Sequence, residues 1–98
     1  MKAVEVRVRT LGGFDEEIIG VDLMNKAFGP GGPLVDVSAI KDEREGTRAM
    51  FTGTYAILRN PAGHREVNYD DVAEAAEAVQ VGSLLMRILD RVEQRLSS

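Results

Sequence analysis

The chain contains no cysteine and no tryptophan, and His64 is its single histidine. The absence of cysteine excludes disulfides and thiolate metal sites, and a lone histidine argues against a structural zinc site. We therefore predict no bound metal and no cofactor. No apolar run approaches the ~20 residues that a membrane-spanning helix needs. The N-terminal stretch MKAVEVRVRT also lacks the apolar core of a signal peptide. We predict a cytoplasmic protein without membrane association.

The chain also lacks an excess of positive charge. It has 12 basic and 16 acidic residues, for a net charge of −4. A general nucleic-acid binder shows the opposite balance, because its affinity comes largely from neutralising phosphates. Any contact with nucleic acid must therefore use a local basic cluster. Arg59, His64 and Arg65 form such a cluster in the sequence, and Arg48 can join it. The alternative is that these are ordinary solvated charges.

The composition is that of one ordinary globular domain, which we predict to span residues 1–98. Apolar residues make up 44% of the chain and charged residues 29%, without repeats or low-complexity tracts. The strongest break is GPGGP at residues 29–33, which neither a helix nor a central strand tolerates. No GK[ST] sequence follows it, so the stretch is interpreted as a connector rather than a phosphate-binding loop.

Apolar residues at helical spacing predict two helices. The longer one starts near Tyr69, with Asn68 as its N-cap, and runs almost to the end of the chain. A second helix is predicted over Phe14–Phe28, where Gly29 ends it. The apolar residues of the long helix are Val72, Ala76, Val79, Leu85, Ile88, Leu89, Val92 and Leu96.

Two other segments remain ambiguous from their residues alone. The segment from Glu43 to Arg59 fits a helix, yet its threonines and aromatic residues also suit a strand. Near the N-terminus, Val4, Val6 and Val8 alternate with charged residues as in a strand, although Val4, Val8 and Leu11 also fit a helix. Local propensity favours a strand there and a small βαββα fold.

Three longer strings together resemble a known family. In chain order they are GVDLMNKAFGPGGPLV, EGTRAMFTGTYAILRNPAGH and AEAVQVGSLLMRILDRV. Their order and spacing resemble the Ymh-type family of small bacterial proteins, which is similar to the HEPN superfamily (higher eukaryotes and prokaryotes nucleotide-binding). The resemblance covers roughly Ala3 to Val92.

The resemblance implies an all-α fold, namely a HEPN-like up-and-down helical bundle with a shortened N-terminal helix. Both ambiguous segments would then be helices. Val4 to Leu11 would form the end of the first helix, and Gly12-Gly13 would break it. The helix from Glu43 to Arg59 would pack against the long C-terminal helix.

The resemblance also implies an activity. Ribonucleases of the superfamily carry an arginine, an adjacent polar residue and a histidine a few residues later, and Arg59, Asn60 and His64 match that pattern. The implied function is metal-independent RNA cleavage at a homodimer cleft by a toxin or phage-defence effector. An antitoxin or defence-system protein would be a further partner. Arg65, Arg48 and Tyr55 are weaker candidates for holding RNA, since no motif includes them.

These residue types suit the chemistry. Histidine, with an unperturbed pKa of about 6.5, can transfer protons near neutral pH. A guanidinium can stabilise the negative charge that builds up on phosphoryl oxygens. The alternative is a non-catalytic HEPN-like helical module that binds a nucleotide or a partner protein, with His64 in a solvated turn.

Overall fold

The structure, a computed structural model, describes residues 2–58 and 72–97. Four helices make up most of these two stretches, and neither stretch contains a β-strand. The all-α prediction is confirmed, and the βαββα alternative is wrong. In chain order the helices are α1 (Lys2–Gly12), α2 (Gly20–Phe28), α3 (Lys41–Leu58) and α4 (Val72–Leu96).

The N-terminal segment is a helix, not the strand that its local propensity favoured. Val4 and Val8 are buried, whereas Val6 between them is 47% exposed. A spacing of four places Val4 and Val8 on one helix face, so burial against the other helices decides the conformation. The helix ends at Gly12, and Gly13 follows with a φ of +69°. The break at Gly12-Gly13 is therefore confirmed.

Helix α2 begins at Gly20 and not at Phe14 as predicted. The residues before it form a turn, in which the Asp15 carboxylate accepts a hydrogen bond of 2.9 Å from the backbone N–H of Glu17. Such local bonds compete with helix formation. The backbone then changes direction at Gly20, whose φ of +60° favours glycine. The C-terminal end at Phe28 was predicted correctly.

The four helices share one core. Helix α3 packs mainly against α2, and α1 packs against both α2 and α4. Among the described residues, α3 and α4 contribute to the same core, and the direct packing of the two helices that the resemblance implied stays a prediction. The core consists of Val4, Val8, Leu23, Met24, Ala27, Phe28, Leu34, Phe51, Tyr55, Leu85, Leu89 and Val92.

Arg7 ties α1 to α4. Its Nη2 lies 2.7 Å from a carboxylate oxygen of Asp90 and 2.9 Å from one of Glu93, and its Nη1 donates to the carbonyl of Met86 at 3.2 Å. The two carboxylates are one turn apart on α4, so a single guanidinium reaches both. This contact fixes the position of the first helix along the last.

Glu5 ties α1 to α2. Its side chain is buried, and its Oε2 accepts a 2.9 Å hydrogen bond from the backbone N–H of Gly20, at the start of α2. The N-terminus of a helix favours a negative charge at this place. Arg9 lies 3.6 Å from the same carboxylate oxygen and donates to the carbonyl of Ile18 at 3.2 Å. The buried acid therefore has a charge partner and a backbone donor.

The glycine-rich connector lies against the last turn of α2. The N–H of Gly29 donates to the Asn25 carbonyl at 2.8 Å, and the N–H of Leu34 donates to the Ala27 carbonyl at 3.1 Å. A Cβ atom built on Gly32 would stand 2.4 Å from the Ala27 carbonyl oxygen, which is too close for any side chain. Position 32 therefore needs glycine so that the connector can approach the helix.

We expect Gly32→Ala to destabilise the protein by about 1–3 kcal/mol, because the obstructing atoms are backbone and cannot rotate away. The matched control is Gly46→Ala in α3, where an added Cβ meets no atom within 4 Å. That control should stabilise the helix by about 0.5–1 kcal/mol. Urea unfolding of both variants measures the difference. Equal effects of the two substitutions would contradict the close approach at Gly32.

Candidate functional site

The predicted catalytic residues Arg59, Asn60 and His64 lie outside the described residues, as does Arg65. The structure gives no geometry for them, and their roles remain predictions.

The other two predicted RNA contacts, Arg48 and Tyr55, lie on α3 in different environments. Arg48 is exposed, and its Nε donates a 3.0 Å hydrogen bond to Oδ1 of Asn25. Tyr55 is completely buried in the core. The structure therefore leaves Arg48 accessible to a ligand and assigns the Tyr55 ring to core packing, where no base can stack on it.

The described residues form a concave site that the sequence reasoning did not single out. It is a pocket of about 260 Å³ between α3, α4 and the segment that precedes α3. Three guanidiniums line it, from Arg44 on α3 and from Arg91 and Arg95 on α4. We call it the arginine pocket. Its other walls are mainly apolar and include Phe28, Leu34, Ile88 and Val92.

Two of these arginines are held by the same backbone segment. Arg95 donates from Nη2 to the Leu34 carbonyl at 2.9 Å, and Arg44 donates from Nη1 to the Ala39 carbonyl at 3.2 Å. Both side chains are half-buried. Each guanidinium has five N–H donors, so these single bonds fix its position and leave other donors for a ligand.

Asp36 also lines the pocket, and its carboxylate contacts both Ser38 and Arg95. Its Oδ1 accepts hydrogen bonds from the Ser38 hydroxyl at 2.6 Å and the Ser38 N–H at 3.0 Å. These two bonds, with a smaller contribution from the charge of Arg95, lower the pKa of Asp36 below its ordinary value. Its Oδ2 lies 3.8 Å from Nη1 of Arg95, so the ion pair between them is long.

A second pocket of about 350 Å³ adjoins the first and shares Arg44 with it. Lys41 and Arg48 line this second pocket, and their spacing from Arg44 places all three on one face of α3. Five of the chain's 12 basic residues thus line the two pockets. The acidic lining residues number three, which gives a local excess of two positive charges in a chain of net charge −4. They are Asp36, Glu43 and Glu45.

The sequence contained a partial signal for this site. Arg91 and Arg95 stand four residues apart, and the sequence reasoning explained them as favourable charges at a helix C-terminus. Their spacing does show that they share one face of α4. The sequence does not show that this face of α4 and Arg44 line the same cavity.

Neither a metal site nor a membrane-spanning segment is found in the described part of the chain. Within residues 2–58 and 72–97, no three His, Cys, Asp or Glu side chains converge as metal ligands would. None of the helices described there is long and apolar enough to cross a bilayer.

The fold and site define a small all-helical protein with an arginine-lined pocket. Residues 1–89 match the family described as "Protein of unknown function (Hypoth_ymh)". The chain belongs to this family, and the resemblance to Ymh-type proteins is confirmed. The similarity to the HEPN superfamily stays a prediction. No curated protein and no solved structure matches the chain.

Proposed function

We propose that this chain is a metal-independent endoribonuclease that cuts RNA with Arg59, Asn60 and His64 at a homodimer cleft. The observation that carries the proposal is the arginine–polar–histidine pattern of these residues in a chain of the all-helical class that such nucleases share. As a toxin or phage-defence effector, the protein would attack cellular RNA and be restrained by an antitoxin or another defence-system protein.

The proposed reaction is an internal transfer of the phosphate. His64 removes the proton of a ribose 2′-OH, and the 2′-oxygen attacks the adjacent phosphorus atom. Arg59 stabilises the added negative charge on the phosphoryl oxygens, and Asn60 orients the arginine or donates to the phosphate. The bond from phosphorus to the 5′-oxygen breaks, and that oxygen takes up a proton. The products are a 2′,3′-cyclic phosphate and a 5′-hydroxyl.

The charge distribution on α3 supports the proposal. Lys41, Arg44 and Arg48, with one acidic neighbour at Glu45, give one face of α3 a net positive charge on a chain that is acidic overall. Because exposed charges act over about 10 Å at moderate ionic strength, a local basic face can attract RNA despite the net charge. In the sequence, Arg59 comes directly after Leu58, where the described part of α3 ends. The proposed catalytic residues therefore follow this helix in the chain.

The test is incubation of the purified chain with RNA in EDTA, beside the Arg59→Ala variant. We expect the wild type to cleave, with 2′,3′-cyclic phosphate ends on the products, and the variant to be strongly impaired. Cleavage that requires added Mg²⁺, or equal cleavage by the two proteins, would refute the proposed mechanism.

The arginine pocket favours a second candidate function. A preformed cavity lined by three arginines suits a non-catalytic helical module that binds a nucleotide or a partner protein. This alternative predicts no RNA cleavage under any condition, together with ligand binding that survives substitution of Arg59 or His64.

A further inference from the structure

We propose that the arginine pocket binds a small organic phosphate, meaning a phosphate ester with a compact apolar body. The pocket contains none of the three residues proposed to cut RNA, although Arg44 belongs both to the pocket and to the basic face of α3. Its two features, a lining with three arginines and a partly apolar wall, match the two parts of such a ligand.

The guanidiniums provide the phosphate site. Arg44 comes from α3, and Arg91 and Arg95 come from one face of α4, so the three approach the cavity from two sides. Asp36 and Glu43 also line the pocket, so its lining carries three positive and two negative charges, and the net positive charge of one favours an anion. Arginine also presents its N–H donors in a fork that fits phosphate oxygens.

Arg91 is the residue most available to a ligand. It lines the pocket and is exposed, and within residues 2–58 and 72–97 it has neither an ion pair nor a hydrogen bond. Its N–H donors are therefore not engaged by the described part of the chain. A bound phosphate would engage them in a charge-assisted hydrogen bond.

Arg44 and Arg95 are already positioned. Their bonds to the carbonyls of Ala39 and Leu34 hold both guanidiniums at the segment that closes the pocket. Preorganised groups lose less conformational freedom when a ligand binds, and this favours affinity. Asp36 also lines the pocket and keeps its negative charge, because the hydrogen bonds from Ser38 lower its pKa, but its ion pair with Arg95 is long, at 3.8 Å.

The inner wall and the volume indicate the rest of the ligand. Leu34 and Val92 are buried beneath the pocket, and Ile88 is partly buried beside them. Because Leu34 and Val92 are only 1% and 3% exposed, the apolar surface open to a ligand comes mainly from Ile88 and Val35. The volume of about 260 Å³ lies just below the ~300–1,000 Å³ range of ordinary ligand pockets. The pocket therefore suits a small ester.

The test is an NMR titration of the full chain with phenyl phosphate, inorganic phosphate and phenol as separate probes. We expect phenyl phosphate to bind most tightly, inorganic phosphate more weakly, and phenol weakest of all. Backbone amide shifts should concentrate in the segment before α3 and in α4 around Ile88 to Arg95.

Two matched variants of α4 test whether Arg91 contributes to phosphate binding. We expect Arg91→Gln to weaken phenyl phosphate binding about tenfold or more, as for a lost hydrogen bond to a charged group. Arg87→Gln removes an exposed arginine one turn earlier on α4 that does not line the pocket, and it should bind as the wild type does. Arg91 is preferred over Arg95 because Arg95 anchors Leu34, and its loss would also disturb the fold.

The proposal is overturned if the wild type does not bind phenyl phosphate, or if Arg91→Gln and Arg87→Gln bind it equally. Inorganic phosphate binding as tightly as phenyl phosphate would also refute the role of the apolar wall. His64→Ala should leave binding unchanged. A chain that binds phenyl phosphate but never cuts RNA would thus refute the ribonuclease proposal alone.

Discussion

His64→Ala should lower the rate of RNA cleavage by about 10²–10⁴-fold, the range for loss of a general acid or base. His64 is the only histidine in the chain. No second imidazole of the same subunit can replace it, and in a homodimer both sites lose it together. We expect the binding of RNA to change much less than the rate, since a neutral imidazole adds little to phosphate affinity.

The pH dependence of the rate provides a second readout. Wild-type cleavage should change with pH around the ordinary histidine pKa of about 6.5, and this inflection should disappear in the variant. Arg87→Ala is the control, because it removes an exposed charge from α4 and leaves both the motif and the pocket intact. If His64→Ala cleaves RNA as fast as Arg87→Ala at every pH, His64 has no catalytic role.

A helix was predictable from the sequence where the spacing of its apolar residues fits a helix and not a strand. In α4, Leu85, Leu89 and Val92 repeat at intervals of four and three, which only a helix places on one face, and all three are buried. In α1 the buried pair Val4 and Val8 is four residues apart, a spacing that a strand and a helix both place on one side. Local propensity then favoured the wrong structure, whereas the family resemblance, which covers this segment, implied a helix.

The start of α2 could not be predicted from spacing either. Phe14 and Ile18 both pack against the core, so they fit the apolar pattern of the helix although they precede it. A turn held by Asp15 and a left-handed backbone at Gly20 separate them from the helix. The spacing of apolar residues indicates which side chains face the core. A well-packed turn can place its apolar side chains in the core at the same spacing as a helix does.

The candidate sites differ in how they could be found. A motif such as Arg59-Asn60-x3-His64 is local, so the order of residues along the chain is enough to suggest it. The arginine pocket joins Arg44 to Arg91 and Arg95 over some fifty residues, and only the packing of the helices brings them together. Charge spacing on each helix was visible in the sequence, but the cavity between the helices was not.

Phe51→Ala should have the largest effect on stability, a loss of about 3–5 kcal/mol, because it empties a large site in the core. Phe51 is completely buried. Its ring stacks on that of Phe28, with centroids 4.2 Å apart and an interplanar angle of 23°. Phe28 ends α2 and also lines the arginine pocket. Loss of the Phe51 ring should therefore loosen both the core and one wall of the pocket.

Two further variants separate core packing from a general effect of shortening an apolar side chain. Ile57→Ala lies on the same helix at a site that is 60% exposed, and it should change stability by no more than about 0.5 kcal/mol. Phe51→Leu keeps an apolar side chain but loses the stacked ring. Its loss of unfolding free energy should therefore lie between those of Phe51→Ala and Ile57→Ala. Urea unfolding monitored by circular dichroism gives all three values. If Phe51→Ala costs no more than Ile57→Ala, the Phe28–Phe51 stack does not hold α3 against α2.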